Sequence, residues 1–130
     1  MPTSTSLKIS TLSYVVIYVS DIAKSMAFYR DKLGMTVKMN QPSWVEFETG
    51  ATTLGLHATD NMPEVKDGHP ALIFQVDDVY AAAAALKANG IKLKEEPRQV
   101  CEEGDKVGIS ADFVDLDGNL LAVFSLLPKQ

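Results

Sequence analysis

Aromatic and acidic side chains recur at spacings of two or four in several short, strand-like stretches of this sequence. Tyr14 and Tyr18 are four positions apart with valine and isoleucine between them, and Trp44 is followed two positions later by Glu46. Because side chains two positions apart point to the same side of a β-strand, these residues would share one face of a sheet. Such a face suits a flat or partly cationic organic ligand, held by stacking and cation–π attraction. The predicted ligand-binding residues are Tyr14, Tyr18, Trp44, Glu46, His57, Gln75 and Phe124.

Two histidines offer a second chemistry, in which the same region holds a divalent metal ion. His57 and His69 flank a linker rich in Asp, Asn, Pro and Gly, and Glu46 or Glu48 could join them from a neighbouring strand. Two imidazoles and a carboxylate are sufficient ligands for iron or zinc. Otherwise the histidines are exposed residues at strand ends. A third interpretation is that the aromatic side chains fill a core, which would leave an interaction module without a ligand.

Length and charge limit the classes of protein that this sequence can encode. The 130 residues suit one compact domain, predicted here over residues 1–130. A net charge of −5 argues against nucleic acid as a partner, since phosphate binding needs a basic surface. No apolar run approaches the length of a membrane span, so we expect no membrane partner. The single cysteine, Cys101, excludes an internal disulfide and is typical of a cytoplasmic protein.

One succession of strand and helix patterns occurs twice along the chain. Residues 14–19 are β-branched or aromatic, Ser20 and Asp21 are candidate helix caps, and an apolar face at helical spacing covers residues 22–33. The same succession begins again at residue 71, and each copy continues into shorter strand patterns. The predicted order in each half is therefore strand, helix and three strands.

This repeat predicts an α+β fold of two βαβββ modules. Module one covers about residues 9–60 and module two about residues 69–128. Set side by side, the modules form a curved mixed sheet around a central cavity, where a small molecule would bind. In module two the second helix is predicted over residues 79–88 and a short strand over residues 91–94, whereas residues 95–108 have no defined pattern.

Three stretches resemble the sequence signatures of the glyoxalase/bleomycin resistance protein/dioxygenase superfamily, also called the vicinal oxygen chelate proteins. They are YVVIYVSDIAKSMAFYRDKLGM at residues 14–35, FQVDDVYAAAAALKANGI at residues 74–91 and FVDLDGNLLAVF at residues 113–124. The last has Leu116 where the family usually has proline. The resemblance implies paired βαβββ modules, a central cavity and often a homodimer.

The family's enzymes include lyases and dioxygenases that use a divalent metal. The resemblance also implies which positions of this sequence correspond to their metal ligands. The four metal-binding positions fall on Tyr14, Gly55, Ala71 and Ala122. Glycine and alanine side chains offer no ligand, and tyrosine is a poor one for such a metal. We therefore predict a metal-free small-molecule-binding protein of the bleomycin-resistance type. The alternative is a lyase or dioxygenase with zinc, nickel, manganese or iron at a shifted site formed by His57, His69 and Glu46.

Overall fold

The computed structural model describes residue 7 and residues 12–62 and 70–129. Strands and two α-helices follow each other in this part of the chain in the order that the sequence predicts for each module. In the first module these are β1 (Tyr14–Val19), α1 (Ile22–Ala27), β2 (Val37–Gln41), β3 (Trp44–Phe47) and β4 (Thr53–Ala58). In the second they are β5 (Leu72–Gln75), α2 (Val79–Ala88), β6 (Glu95–Glu103), β7 (Lys106–Val114) and β8 (Leu120–Pro128).

Each module forms one mixed four-stranded sheet, and the two sheets have the same topology. The strand order is β1-β4-β3-β2 in the first sheet and β5-β8-β7-β6 in the second. In both, the strand before the helix pairs in parallel with the last strand of its module, and the other pairings are antiparallel. The predicted α+β fold of paired βαβββ modules is confirmed. Within the described residues, no strand of one sheet pairs with a strand of the other.

Both helices begin and end with the capping residues that the sequence suggests. The Asp21 side chain accepts a hydrogen bond from the backbone N–H of Lys24, and Asp78 caps α2 in the same way. These bonds satisfy N–H groups that have no partner inside the helix. Gly34, with a φ of 74°, ends the first helical segment in the left-handed conformation that glycine adopts at little cost.

The first helix differs from the single α-helix predicted over residues 22–33. It changes at Phe28 into a π-helical segment, Phe28–Lys32, in which the Leu33 N–H bonds to the Phe28 carbonyl at 3.2 Å. The wider turn adds one residue to the helical repeat. Phe28 and Tyr29 are both buried there, which the ordinary helical period does not favour for adjacent residues.

The segment between α2 and β7 is also different from the prediction. Residues 91–94 form no strand, although Ile91 and Leu93 are buried. Instead, β6 covers most of the segment predicted to lack a pattern, and it pairs antiparallel with β7. Because β6 is an edge strand with almost every side chain exposed, its sequence has no apolar alternation and can include Pro97.

Hydrogen bonds between side chains and loops join the two modules. The buried Tyr29 hydroxyl donates to Asp115 at 2.7 Å, and the exposed Ser20 hydroxyl donates to Asp117 at 2.6 Å. The carboxamides of Asn89 and Asn119 donate to backbone carbonyls of the first module. The apolar core, which includes Phe47, Leu56, Phe113 and Leu121, lies on the helix side of both sheets.

Two expectations from the sequence concern membrane-spanning helices and the limits of the modules. None of the helices in the described ranges combines enough length with enough apolar character to cross a membrane. The predicted module limits stay predictions at their ends, because residues 8–11 and 63–69 lie outside the described residues.

Candidate functional site

The register of three neighbouring strands places five of the predicted site residues on one face of the first sheet. Tyr18 of β1 lies opposite His57 of β4, and His57 lies opposite Trp44 of β3. Glu46 lies opposite Gly55, two residues before His57. The other face of these strands carries core residues such as Val45 and Leu56, so the predicted face is the one that points away from the helix.

Four rings on this face form a continuous surface, which we call the aromatic patch (Tyr14, Tyr18, Trp44 and His57). The ring centroids of Tyr14 and Trp44 are 6.4 Å apart, those of Trp44 and His57 6.1 Å, and those of Tyr18 and His57 5.6 Å. These are tilted or edge-to-face contacts, which leave ring faces available to a further flat group. Tyr14 and Tyr18 are about half exposed, at 51% and 46%.

Trp44 is fixed between a carboxylate and a glycine. Its Nε1–H donates to Glu46 Oε2 at 2.8 Å, and Glu46 is only 5% exposed. The indole lies directly over Gly55, where a Cβ would be 2.7 Å from Trp44 Cζ2. Real Cβ atoms do not approach a neighbour so closely, so only glycine fits beneath the ring in this position. The indole is therefore held against the strand as the floor of the aromatic patch.

The spacing of residues in the sequence does not predict that one charged residue, Lys38, lies at the edge of the site. Lys38 lies in the irregular part of the β2–β3 pairing, and its Nζ donates to Thr53 Oγ1 at 3.1 Å. Thr53 lies opposite Tyr14, so the ammonium group reaches the border of the aromatic patch. A bulge shifts the two-residue alternation, which is why strand spacing did not place Lys38 near this face.

The remaining two predicted site residues, Gln75 and Phe124, lie on the second sheet. They are opposite each other on β5 and β8, and Phe124 is opposite Ser110 of β7. The nearby Arg98 forms an ion pair with Asp112 at 3.0 Å. Among the described residues, no ring contact or hydrogen bond connects Gln75 or Phe124 to the aromatic patch. Arg98 was missed because the sequence pattern left residues 95–108 undefined.

The clefts between the modules are lined by a different set of residues. One of about 700 Å³ is bounded by Val15, Leu54 and residues 71–75, and of the predicted site residues it includes Gln75. A second, of about 350 Å³, lies between the end of the first helical segment and α2. Neither contains a member of the aromatic patch. Within one chain, the patch is thus an open sheet face.

The residues at the family's metal-binding positions do not fit a divalent metal. Gly55 and Ala122 occupy equivalent places on the last strands of their modules, β4 and β8, opposite Val16 and Ile73. Neither has a donor atom, and the space above Gly55 contains the Trp44 indole. Of the four positions only Tyr14 has a side-chain oxygen, and one phenol cannot satisfy the four ligands that zinc requires.

The shifted metal site is only partly within the described residues. His57 Nδ1 is 2.8 Å from the Ala58 carbonyl, and its ring packs against Trp44 and Tyr18. Glu46 is bonded to the Trp44 indole. In the described ranges, no three His, Cys, Asp or Glu side chains are grouped as a metal would need. His69 lies outside those ranges, so the site with His69 stays a prediction.

Comparisons with known proteins identify a family and several similar proteins. The family described as the Glyoxalase/Bleomycin resistance protein/Dioxygenase superfamily matches residues 11–123. The metallothiol transferase FosB of Staphylococcus haemolyticus is 31% identical over 118 residues, which cover 87% of this chain and 81% of that protein. TnmS3, an antibiotic binding protein from a Streptomyces species, is 26% identical with a TM-score of 0.75, over 95% of this chain and all 100% of its own. An integron cassette protein of Vibrio cholerae is 28% identical with a TM-score of 0.74, over 93% of this chain and 98% of its own.

Proposed function

Because the chain belongs to the glyoxalase/bleomycin resistance protein/dioxygenase superfamily, we propose that it is a metal-free protein that binds a small organic molecule on the aromatic patch. The observation that carries this proposal is the Trp44 indole, which lies over Gly55 where the family's enzymes have a metal ligand. A binding surface for a flat group therefore takes the place of a ligand side chain. The similarity to an antibiotic binding protein supports a function in which the ligand is held and not converted.

The proposal includes a cytoplasmic homodimer. Tyr14, Val16 and Ile73 are large apolar side chains with exposed fractions of 51%, 43% and 62%, on the faces of the two sheets that point away from the helices. A second copy of the chain would cover these faces and turn the open aromatic patch into a pocket. The single cysteine supports a reducing compartment.

A metal-dependent enzyme, a lyase or dioxygenase that uses His57, His69 and Glu46, is the second candidate. The similarity to a protein named as a metallothiol transferase favours it. Against it, His57 and Glu46 are already engaged with the aromatic patch. The proposal of a metal-free binder accounts for these contacts directly.

A panel of planar aromatic compounds tests the binding function. We expect some of them to raise the melting temperature of the wild-type protein, since a ligand that binds only the folded state stabilises it. At a concentration a hundred times Kd the gain is about 2.7 kcal/mol. Trp44→Ala removes the floor of the aromatic patch and should abolish the increase.

The matched control is Tyr80→Ala, which removes an exposed aromatic side chain from α2, outside the aromatic patch. This variant should respond to the same compounds as the wild type. If Trp44→Ala still folds and its melting temperature rises as much as that of Tyr80→Ala, the ligand binds elsewhere and the proposed site is wrong.

A further inference from the structure

Glu46 is a mostly buried carboxylate, and only one of its two oxygens has a hydrogen-bond partner among the described residues. It is 5% exposed, and its Oε2 accepts the hydrogen bond from Trp44 Nε1. Among the residues that the structure describes, Oε1 accepts no hydrogen bond and forms no ion pair. In the described part of the chain no fully buried side-chain oxygen lacks a hydrogen-bond partner, so Oε1, which has none there, is within reach of solvent and of a ligand. A positive charge beside a carboxylate that has lost most of its hydration stabilises it.

The equivalent carboxylate of the second module has such a partner. Glu46 lies opposite Gly55 on the third strand of the first sheet, and Asp112 lies opposite Ala122 on the third strand of the second. Asp112 pairs with Arg98, whose Nη2 is 3.0 Å from Oδ2. The two modules therefore put an acid at the same place, but within the described chain only the second puts a cation beside it.

An aromatic ring touches the Glu46 carboxylate, and further rings lie beyond that ring. Trp44 touches Glu46 directly, and Tyr14 and His57 each pack against the indole. Ring faces attract cations through their quadrupole, and a carboxylate at the same place adds a full negative charge. The net charge of −5 favours the approach of positive molecules from a distance.

We propose that the ligand of the aromatic patch is an organic cation, an aromatic or alkylated molecule whose positively charged nitrogen lies over the rings beside Glu46 Oε1. This inference rests on the proposed binding function and adds the charge of the ligand to it. The ligand supplies to Glu46 the positive charge that Arg98 supplies to Asp112.

Lys38 is a cation of the chain itself at the border of the aromatic patch. Its Nζ bonds to Thr53 Oγ1 and forms no ion pair with Glu46. The ammonium therefore marks the border of the site and leaves its centre to the ligand. A ligand with a negative charge would meet Glu46 at the centre, where repulsion would exclude it.

Two compounds with the same skeleton and different charge test the inference. 1-Methylquinolinium carries a permanent positive charge, whereas 2-methylquinoline, with the same ring system and also one methyl group, is neutral at mildly alkaline pH. Trp44 is the only tryptophan, so its indole Nε1–H gives a single signal in nuclear magnetic resonance that reports on this site. We expect the cation to shift that signal with about tenfold higher affinity than the neutral compound.

Glu46→Gln keeps an acceptor for the indole N–H and removes the charge, so it should bind both compounds with the same affinity. Glu48→Gln removes the same unit charge from an exposed position just after β3 and should keep the tenfold preference. Equal affinity of the two compounds for the wild type would overturn the inference that the ligand is a cation and leave the proposed binding function intact. Failure of both compounds to shift the indole signal would overturn the two proposals together. The wild-type comparison needs no variant and holds even if Glu46→Gln does not fold.

Discussion

Asp115→Ala should be among the most destabilising single substitutions in this protein, with a loss of about 3 kcal/mol in the free energy of unfolding. Asp115 is 5% exposed and accepts four hydrogen bonds. Three come from Asp117 and Asn119 in the turn before β8, and the fourth comes from the Tyr29 hydroxyl of the first module. Alanine would leave the buried phenol and the turn N–H groups without acceptors. Urea unfolding of the two proteins measures the difference.

Asp117→Ala is the matched control for this prediction. Asp117 lies in the same turn and also bonds across the modules, through the Ser20 hydroxyl and backbone N–H. Those bonds are exposed, so their removal should cost about 1 kcal/mol or less. Equal losses in the two variants would mean that the turn, and not the buried contact with Tyr29, carries the stability.

The contact between Tyr29 and Asp115 also predicts how stability changes with pH. Burial of the Tyr29 phenol, and then the negative charge of Asp115, hold its pKa far above the ordinary tyrosine value. The phenol therefore keeps its proton in the folded protein while the unfolded chain loses it above about pH 10. The stabilisation is present below that pH and is lost as the pH rises further. Tyr29→Phe has no phenol to ionise, so its free energy of unfolding should fall less than that of the wild type as the pH rises above about 10.

Gly55→Ala should weaken ligand binding more than tenfold. The new methyl group would meet the Trp44 indole, which must leave its place over the strand and give up the bond to Glu46. We expect a cost in stability of about 1–3 kcal/mol from the added volume. The larger effect is on binding, because the floor of the aromatic patch is displaced. Titration with the planar compound that stabilises the wild type best, followed at the indole N–H signal, measures the affinity, and urea unfolding measures the stability.

The second module offers the same substitution at a comparable place. At Gly108 a Cβ would meet the Phe124 ring, with Cε1 at 2.8 Å, as well as the Cys101 sulfur. Gly108→Ala should therefore cost stability in a similar way without moving Trp44. If Gly55→Ala leaves both the indole signal and the affinity unchanged, Trp44 does not form the floor of the site.

Much of the architecture could be predicted from local patterns. The caps at Asp21 and Asp78 and the apolar face of each helix depend on neighbours in the sequence, so they are visible in it. Alternation within β1, β3 and β4 was sufficient to place the aromatic residues and Glu46 on one face. Spacing of two defines a strand face without any knowledge of the rest of the fold.

The features that were missed depend on contacts distant in the sequence. β6 is exposed on both faces, so no burial pattern marks it, and its partner β7 alone makes it a strand. The π-helical segment follows from burying both Phe28 and Tyr29, the second of them against Asp115. The position of Lys38 depends on a bulge, and the close contact between the indole and Gly55 depends on a side-chain conformation. None of these is encoded in spacing alone.

The metal content of the protein tests the central claim most directly. The chain would be purified without chelator, equilibrated with zinc, nickel, manganese and iron in turn, freed of unbound ions and analysed by elemental mass spectrometry. We expect each metal to remain far below an equimolar amount, because Gly55, Ala71 and Ala122 offer no ligand. An equimolar ion that is retained by the wild type and lost in His57→Ala would contradict the account and establish the shifted metal site.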